Sequence, residues 1–189
     1  MCAVYELICI INAFANTFSI INQESIYFMT IKSVLFVCMG NICRSPTAEA
    51  MFRALVQQAQ LDIKVESAGT IAYHQGRSPD KRSIAAGVKR GLCFDGMTAR
   101  QVRGDDFSAF DLILAADKQN LDDLRGICPS PLQSKLGLIL DTCKFAEGEV
   151  VYDEVPDPYY GTGDGFELVL DLLENSCSHL VASIRDNKI

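Results

Sequence analysis

The stretch VLFVCMGNICRSPTAEAMF, residues 34–52, passes from an unbroken apolar run, through a loop carrying two cysteines and an arginine, into a helical pattern. VLFVC (34–38) has the continuous apolar character of a strand buried on both faces. Over 46–59, Ala48, Met51, Phe52, Leu55, Val56 and Ala59 recur at helical spacing, Pro46 suits a first turn, and Glu49 lies near the positive helix end. Strand, short loop and helix make one unit of α/β alternation.

The rest of the chain repeats that unit. KVES (64–67), LILAA (112–116) and LGLIL (136–140) read as further buried strands. Residues 80–90 and 118–126 read as short helices, each stopped by glycine, and a long last helix from 164 to 184 places Phe166, Val169, Leu170, Leu173, Cys177, Leu180, Val181 and Ile184 on one face. Such alternation implies right-handed crossovers and a small doubly wound parallel sheet of the α/β class. In these folds ligands sit at the carboxyl ends of the strands, so the loop after residue 38 lies at the active edge.

Composition narrows the possibilities. A chain of 189 residues, 49% apolar, suits one domain with a proper core. Its net charge of −7 argues against capture of nucleic acid, so any phosphate must be held locally. The eight cysteines (2, 9, 38, 43, 93, 128, 143, 177) contain no C-x2-C pair, which favours reduced thiols in a cytoplasmic protein over a zinc site or a disulfide framework; Cys93, Cys128, Cys143 and Cys177 are expected to be buried or half-buried. Residues 1–28 carry no Lys or Arg, and their apolar run is broken by Asn12, Asn16, Thr17, Ser19, Asn22 and Gln23. Neither a secretory signal nor a membrane span fits them. They are expected to be a dispensable extension, disordered or non-native, ahead of a single domain over 29–189 that starts at Met29.

Two stretches carry chemistry. Cys38 ends the first strand, and Arg44 follows six residues later at the start of a helix. A loop this short, with Gly40 relaxing its backbone, can turn N–H groups inward as an anion cradle next to the helix dipole. The same positive environment favours the thiolate of Cys38, Arg44 can grip two phosphate oxygens, and Ser45 could donate a hydrogen bond to the sulfur. Chance alone would yield roughly 0.4 C-x5-R matches in such a chain, so the strand–loop–helix setting carries the signal. The bland alternative is a buried strand-end cysteine and a solvated helix-cap arginine. The second stretch, VPDPYYGTGDGF (155–166), holds Asp157 rigidly between two prolines, ahead of Tyr159 and Tyr160. It reads either as an ordinary Asp-Pro turn or as a carboxylate beside aromatic walls.

With VLFVCMGNICRSPTAEA, ESAGT, ARQV, FDLILAAD and DPYYG in this order over residues 32–185, the chain resembles the low-molecular-weight protein tyrosine phosphatases. The resemblance implies a four-stranded parallel sheet with helices on both faces. It implies Cys38 as nucleophile, Arg44 as transition-state clamp and Asp157 as general acid, with Met39, Gly40, Asn41, Ile42, Cys43, Arg44 and Ser45 forming the phosphate loop. Asn41, Ser45 and Ser67 would support that loop, and Met39, Ile42, Tyr73, Tyr159 and Tyr160 would wall a slot for a phosphotyrosine ring. Asp117 matches the family's acidic residue after the third strand, or else serves only as a helix N-cap. The implied reaction passes through a phosphocysteine, needs no metal or other cofactor, and acts on phosphotyrosyl proteins or peptides; the protein would be a monomer or weak homodimer with no membrane or nucleic-acid partner.

Departures matter too. Related bacterial sequences often have His where Met97 stands, so loop support from that position is absent, and His74 has no assigned role. Ile42, where the family's protein-arginine phosphatases resemble CTGNTCRS with Thr, favours tyrosine. The rivals are an arsenate reductase of the same fold, for which Cys93 and Cys128 are too far apart in sequence to be the relay pair, and a non-catalytic phosphotyrosine-binding module, which would need the cradle but not Asp157.

Overall fold

Strand β1 (Ser33–Cys38) has all six residues buried, as its unbroken apolar run predicts for a strand with neighbours on both edges. It pairs in parallel with β2 (Lys64–Gly69) on one side and β3 (Leu112–Ala115) on the other, and β4 (Leu136–Leu138) extends the sheet beyond β3. The order is therefore β2-β1-β3-β4, the four-stranded parallel sheet the resemblance implied. Among the described residues, five α-helices connect and cover it: α1 (Arg44–Gln58), α2 (Lys81–Lys89), α3 (Asp106–Ala109), α4 (Lys118–Ile127) and α5 (Gly165–Arg185). The computed structural model describes residues 31–141, 152–161 and 164–189, so the extension expected over 1–28 and Cys143 lie outside the described residues.

The two-residue period of β1 divides the core. Val34, Phe36 and Cys38 join a cluster with Phe52 of α1 and Leu170, Leu173 and Leu180 of α5. Leu35 and Val37 point to the other side, into a cluster with Phe107 of α3 and Leu121 and Leu124 of α4. Helices thus lie on both faces. Phe36 and Phe52 meet edge to face with centroids 5.5 Å apart, and burying each ring is worth about 1.5–3 kcal/mol relative to leaving it exposed. On α5 all the expected face residues are buried except Phe166, which is partly so.

Element ends differ from the sequence pattern for local reasons. Helix α2 stops where Gly91 takes φ +79°, with Gly91 N–H donating to Val88 O and Leu92 N–H to Gly87 O, a left-handed cap that glycine permits. Gly126, expected to stop α4, lies inside it. The helix ends at Cys128, whose backbone is extended because Pro129 follows. Strand β4 stops at Leu138, although Ile139 and Leu140 are equally buried; the apolar run there records burial, not pairing. Cys93, expected to be at least half-buried, is exposed, whereas Cys128 and Cys177 are buried.

The chain leaves β1 toward β2 and later returns across β1 to β3, so the connections diverge above the carboxyl ends of β1 and β3. A crevice opens at such a switch point, and Cys38 and Asp117 stand at its two edges. Among the described residues, no helix is long and apolar enough to cross a membrane.

Candidate active site

Between β1 and α1, residues 39–43 form the short loop. The left-handed position in it is Asn41, at φ 54°, and not Gly40. Gly40 meets a different demand: a Cβ there would lie 2.9 Å from His74 Cδ2. Gly69 at the end of β2 is equally constrained, because a Cβ would come within 2.7 Å of Met39 O. The loop therefore packs backbone to backbone against β2.

Asn41 is fixed in this conformation by its own side chain, which is buried. Its Oδ1 accepts from the Arg100 backbone N–H at 2.9 Å, while its Nδ2 donates to Ser45 Oγ at 2.9 Å and to Ser67 Oγ at 2.8 Å. Ser45 Oγ in turn lies 3.0 Å from Cys38 Sγ and 3.2 Å from Ala68 O. With Asn41 donating to it, the Ser45 hydroxyl has one proton to give, and Cys38 Sγ and Ala68 O are the two acceptors within its reach. Ser67 donates its hydroxyl hydrogen bond to Glu49, a buried carboxylate in the second turn of α1 that also pairs with Arg53 at 2.6 Å. Burial raises the Glu49 carboxyl above its ordinary range, against the pull of Ser67 and Arg53. Asn41, Ser45 and Ser67 thus meet through hydrogen bonds, and Met97, which has no polar group to offer, sits in the core.

Arg44 begins α1, whose N-cap residue Cys43 makes no side-chain cap, so its first-turn amides are available to an anion. The guanidinium is buried, with Nη1 bonded to Asp117 Oδ2 at 2.5 Å and to Val155 O at 3.2 Å, and Nη2 to Asp157 Oδ2 at 3.3 Å. Burial opposes its charge, but the Cys38 thiolate, the hydrogen bond to Asp117 and the Asp157 carboxylate outweigh that and hold its pKa above the usual value. Asp117 holds two partners: its Oδ2 pairs with Arg44, and its Oδ1 accepts the Asn120 N–H at 2.7 Å as the N-cap of α4.

Asp157 reaches the same point from the loop ahead of α5, its Oδ1 accepting the Tyr159 N–H at 3.0 Å. Asp153 and Glu154, the other acids of that loop, pair with Lys118 at 2.6 and 3.0 Å and do not line the cleft. Of the two thiols at this loop, Cys43 has its pKa pushed up to about 12, first by burial, and stays protonated at neutral pH. Cys38 is the thiol that faces Ser45 and the guanidinium.

A cleft of about 210 Å³ stands over these groups. Met39, Ile42, Tyr73, Tyr159 and Tyr160 line it, together with His74 and Ile71, which sequence reasoning left without a role. His74 packs edge-on to Tyr73 at 4.8 Å and faces Tyr159 at 6.4 Å, closing an aromatic arc. Tyr73 and Tyr160 are 75% and 83% exposed, so they form the rim and not the floor.

Residues 33–189 match the model of the low molecular weight phosphotyrosine protein phosphatase family. The chain belongs to that family. It is 44% identical over 158 residues to the low molecular weight protein-tyrosine-phosphatase YfkJ of Bacillus subtilis, covering 82% of this chain and 97% of the relative. It is 40% identical over 155 residues to the low molecular weight phosphotyrosine protein phosphatase of Homo sapiens, covering 77% and 91%. A crystal structure of the protein tyrosine phosphatase from Entamoeba histolytica superposes with a TM-score of 0.77 at 39% identity, covering 84% of this chain and 99% of that one.

As a low-molecular-weight protein tyrosine phosphatase, the protein is a phosphoric monoester hydrolase acting on phosphotyrosyl proteins. Its cysteines fit that assignment better than a redox relay. Cys93 lies between Leu92 and Phe94 of one core cluster and Cys128 in the other, on opposite faces of the sheet.

Proposed function

We propose that the protein hydrolyses phosphotyrosine through a phosphocysteine formed on Cys38, without a metal. The observation that carries this is the convergence of Cys38, Arg44 and Asp157, each from a different part of the fold, on one cleft.

In the first step the Cys38 thiolate attacks phosphorus in line as the bond to the phenolic oxygen breaks and Asp157 protonates that oxygen. Arg44 and the amides of the loop and of α1 stabilise charge on the three equatorial oxygens. This local positive array does the work that a divalent cation does in other phosphatases. A phosphate dianion engaging Arg44 replaces Asp157 there and leaves that carboxyl to face the leaving oxygen. In the second step Asp157 takes a proton from water as it attacks the phosphocysteine, and Ser45, hydrogen-bonded to the sulfur, helps the thiolate leave. Tyr159, Tyr73 and His74 offer a flat ring its walls, and a phosphoserine in such a slot holds its phosphorus short of the sulfur. The thiols at Cys38, Cys43, Cys93 and Cys128 suit a reducing compartment, in keeping with a cytoplasmic location.

The expected result with matched peptides is that phosphotyrosine is hydrolysed far faster than phosphoserine, at a rate unchanged by excess EDTA. Equal rates on the two peptides contradict the slot, and loss of activity in EDTA contradicts the metal-free mechanism.

A further inference from the structure

We propose that Arg82, on the first turn of α2, is the positioning residue that holds Asp157 over the phosphate loop. This rests on the reading of Asp157 as the general acid.

Arg82 stands outside the catalytic cleft, yet it grips the acid loop at three points. Its Nη1 donates to the Tyr159 carbonyl at 3.2 Å, and its guanidinium lies 5.3 Å from the centre of the Tyr159 ring and 4.9 Å from that of Phe166. Phe166 opens α5, so the contacts take hold of the loop both next to Asp157 and where it enters the last helix. The residue whose carbonyl Arg82 holds is the one whose N–H donates to Asp157 Oδ1. Moving the Tyr159 backbone would therefore turn the carboxyl.

The grip needs a fixed base, and Asp80 supplies it. Asp80 caps α2, accepting from the Arg82 backbone N–H at 2.8 Å, and takes Arg82 Nε and Nη2 on its two oxygens at 3.0 and 2.9 Å. The Asp80 backbone N–H donates to Ile42 O at 2.7 Å, inside the phosphate loop. One continuous chain of contacts thus runs from the phosphate loop through Asp80 and Arg82 to Tyr159 and Asp157. Arg82 is about half exposed, so its ion pair adds little to stability; what the fork adds is geometry.

The test measures phosphoenzyme formation over a series of aryl phosphates for the parent, Arg82→Ala, Arg82→Lys, Asp157→Ala and Arg82→Ala/Asp157→Ala. In Arg82→Ala the rate is expected to fall roughly 10- to 100-fold for leaving groups as basic as tyrosine and to change little for nitrophenyl phosphate, since a displaced acid matters only where a proton is needed. Inhibition by inorganic phosphate should be unchanged. Arg82→Lys, which keeps charge but lacks the fork, should fall between, and it reads the effect if the alanine variant folds poorly by circular dichroism. In the Asp157→Ala background, Arg82→Ala should add no further slope. A loss uniform across the series, or added slope in the double variant, overturns the role of Arg82. A steep Asp157→Ala beside flat Arg82 variants overturns it alone, whereas a flat Asp157→Ala overturns the acid assignment on which it rests.

Discussion

Cys38→Ser is expected to reduce hydrolysis of phosphotyrosyl peptides to background while leaving their binding nearly intact. Among the described residues, two thiols line the cleft, and Cys43 is held protonated by burial, so the proposed attack falls to the Cys38 sulfur. A serine hydroxyl at the same place has no basic partner: its neighbours are the Ser45 hydroxyl and the Arg44 guanidinium, and neither takes a proton at neutral pH. Binding rests on groups the substitution leaves alone, namely Arg44, the loop amides and the aromatic walls. Titration calorimetry with a phosphotyrosyl peptide should therefore find a Kd within about threefold of that for the parent, a difference of less than 1 kcal/mol. Residual turnover at a sizeable fraction of the parent rate would remove Cys38 from the chemistry.

Asp157→Ala is expected to harm slow-leaving substrates far more than fast-leaving ones. As the P–O bond breaks, the oxygen of tyrosine, with a phenol pKa of about 10, becomes a poorly stabilised phenolate in a water-poor slot. A positioned acid relieves this by roughly 10²–10⁴-fold. Nitrophenyl phosphate, whose phenol is far more acidic, needs less help. Phosphoenzyme formation should depend steeply on leaving-group pKa in the variant and remain nearly flat in the parent, measured before the steady state because hydrolysis of the intermediate can mask the first step. Equal slopes would show that Asp157 is not the acid. Asp153 and Glu154 offer no ready substitute, paired as they are with Lys118 away from the cleft.

Much of this was legible before any coordinates, for identifiable reasons. Buried parallel strands must be apolar on both faces, so VLFVC and LILAA announced β1 and β3. Short loops at strand ends carry few residues, so a cysteine and an arginine six positions apart had to share one turn. Gly40 misled, because glycine signals either a left-handed backbone or close approach, and sequence does not say which; the left-handed place belongs to Asn41, whose side chain is anchored by Arg100, Ser45 and Ser67. Glu49 and Arg82 stayed hidden for a different reason. On a helix a charged residue normally reads as a solvated face, and only the packing of distant segments against α1 and α2 reveals that one carboxylate is buried against Ser67 and one guanidinium holds Tyr159. Gly126 failed as a stop signal because Pro129, by forcing Cys128 into an extended backbone, decided where α4 ends.

The most direct measurement is to mix the enzyme with a phosphotyrosyl peptide, quench within milliseconds and locate the phosphate by mass spectrometry of the digested chain. A phosphate adduct on Cys38 that forms and decays at rates compatible with kcat, and is absent in Cys38→Ser, is the predicted result. A burst of dephosphorylated peptide with no adduct on Cys38, or an adduct on another residue, would contradict the phosphocysteine mechanism.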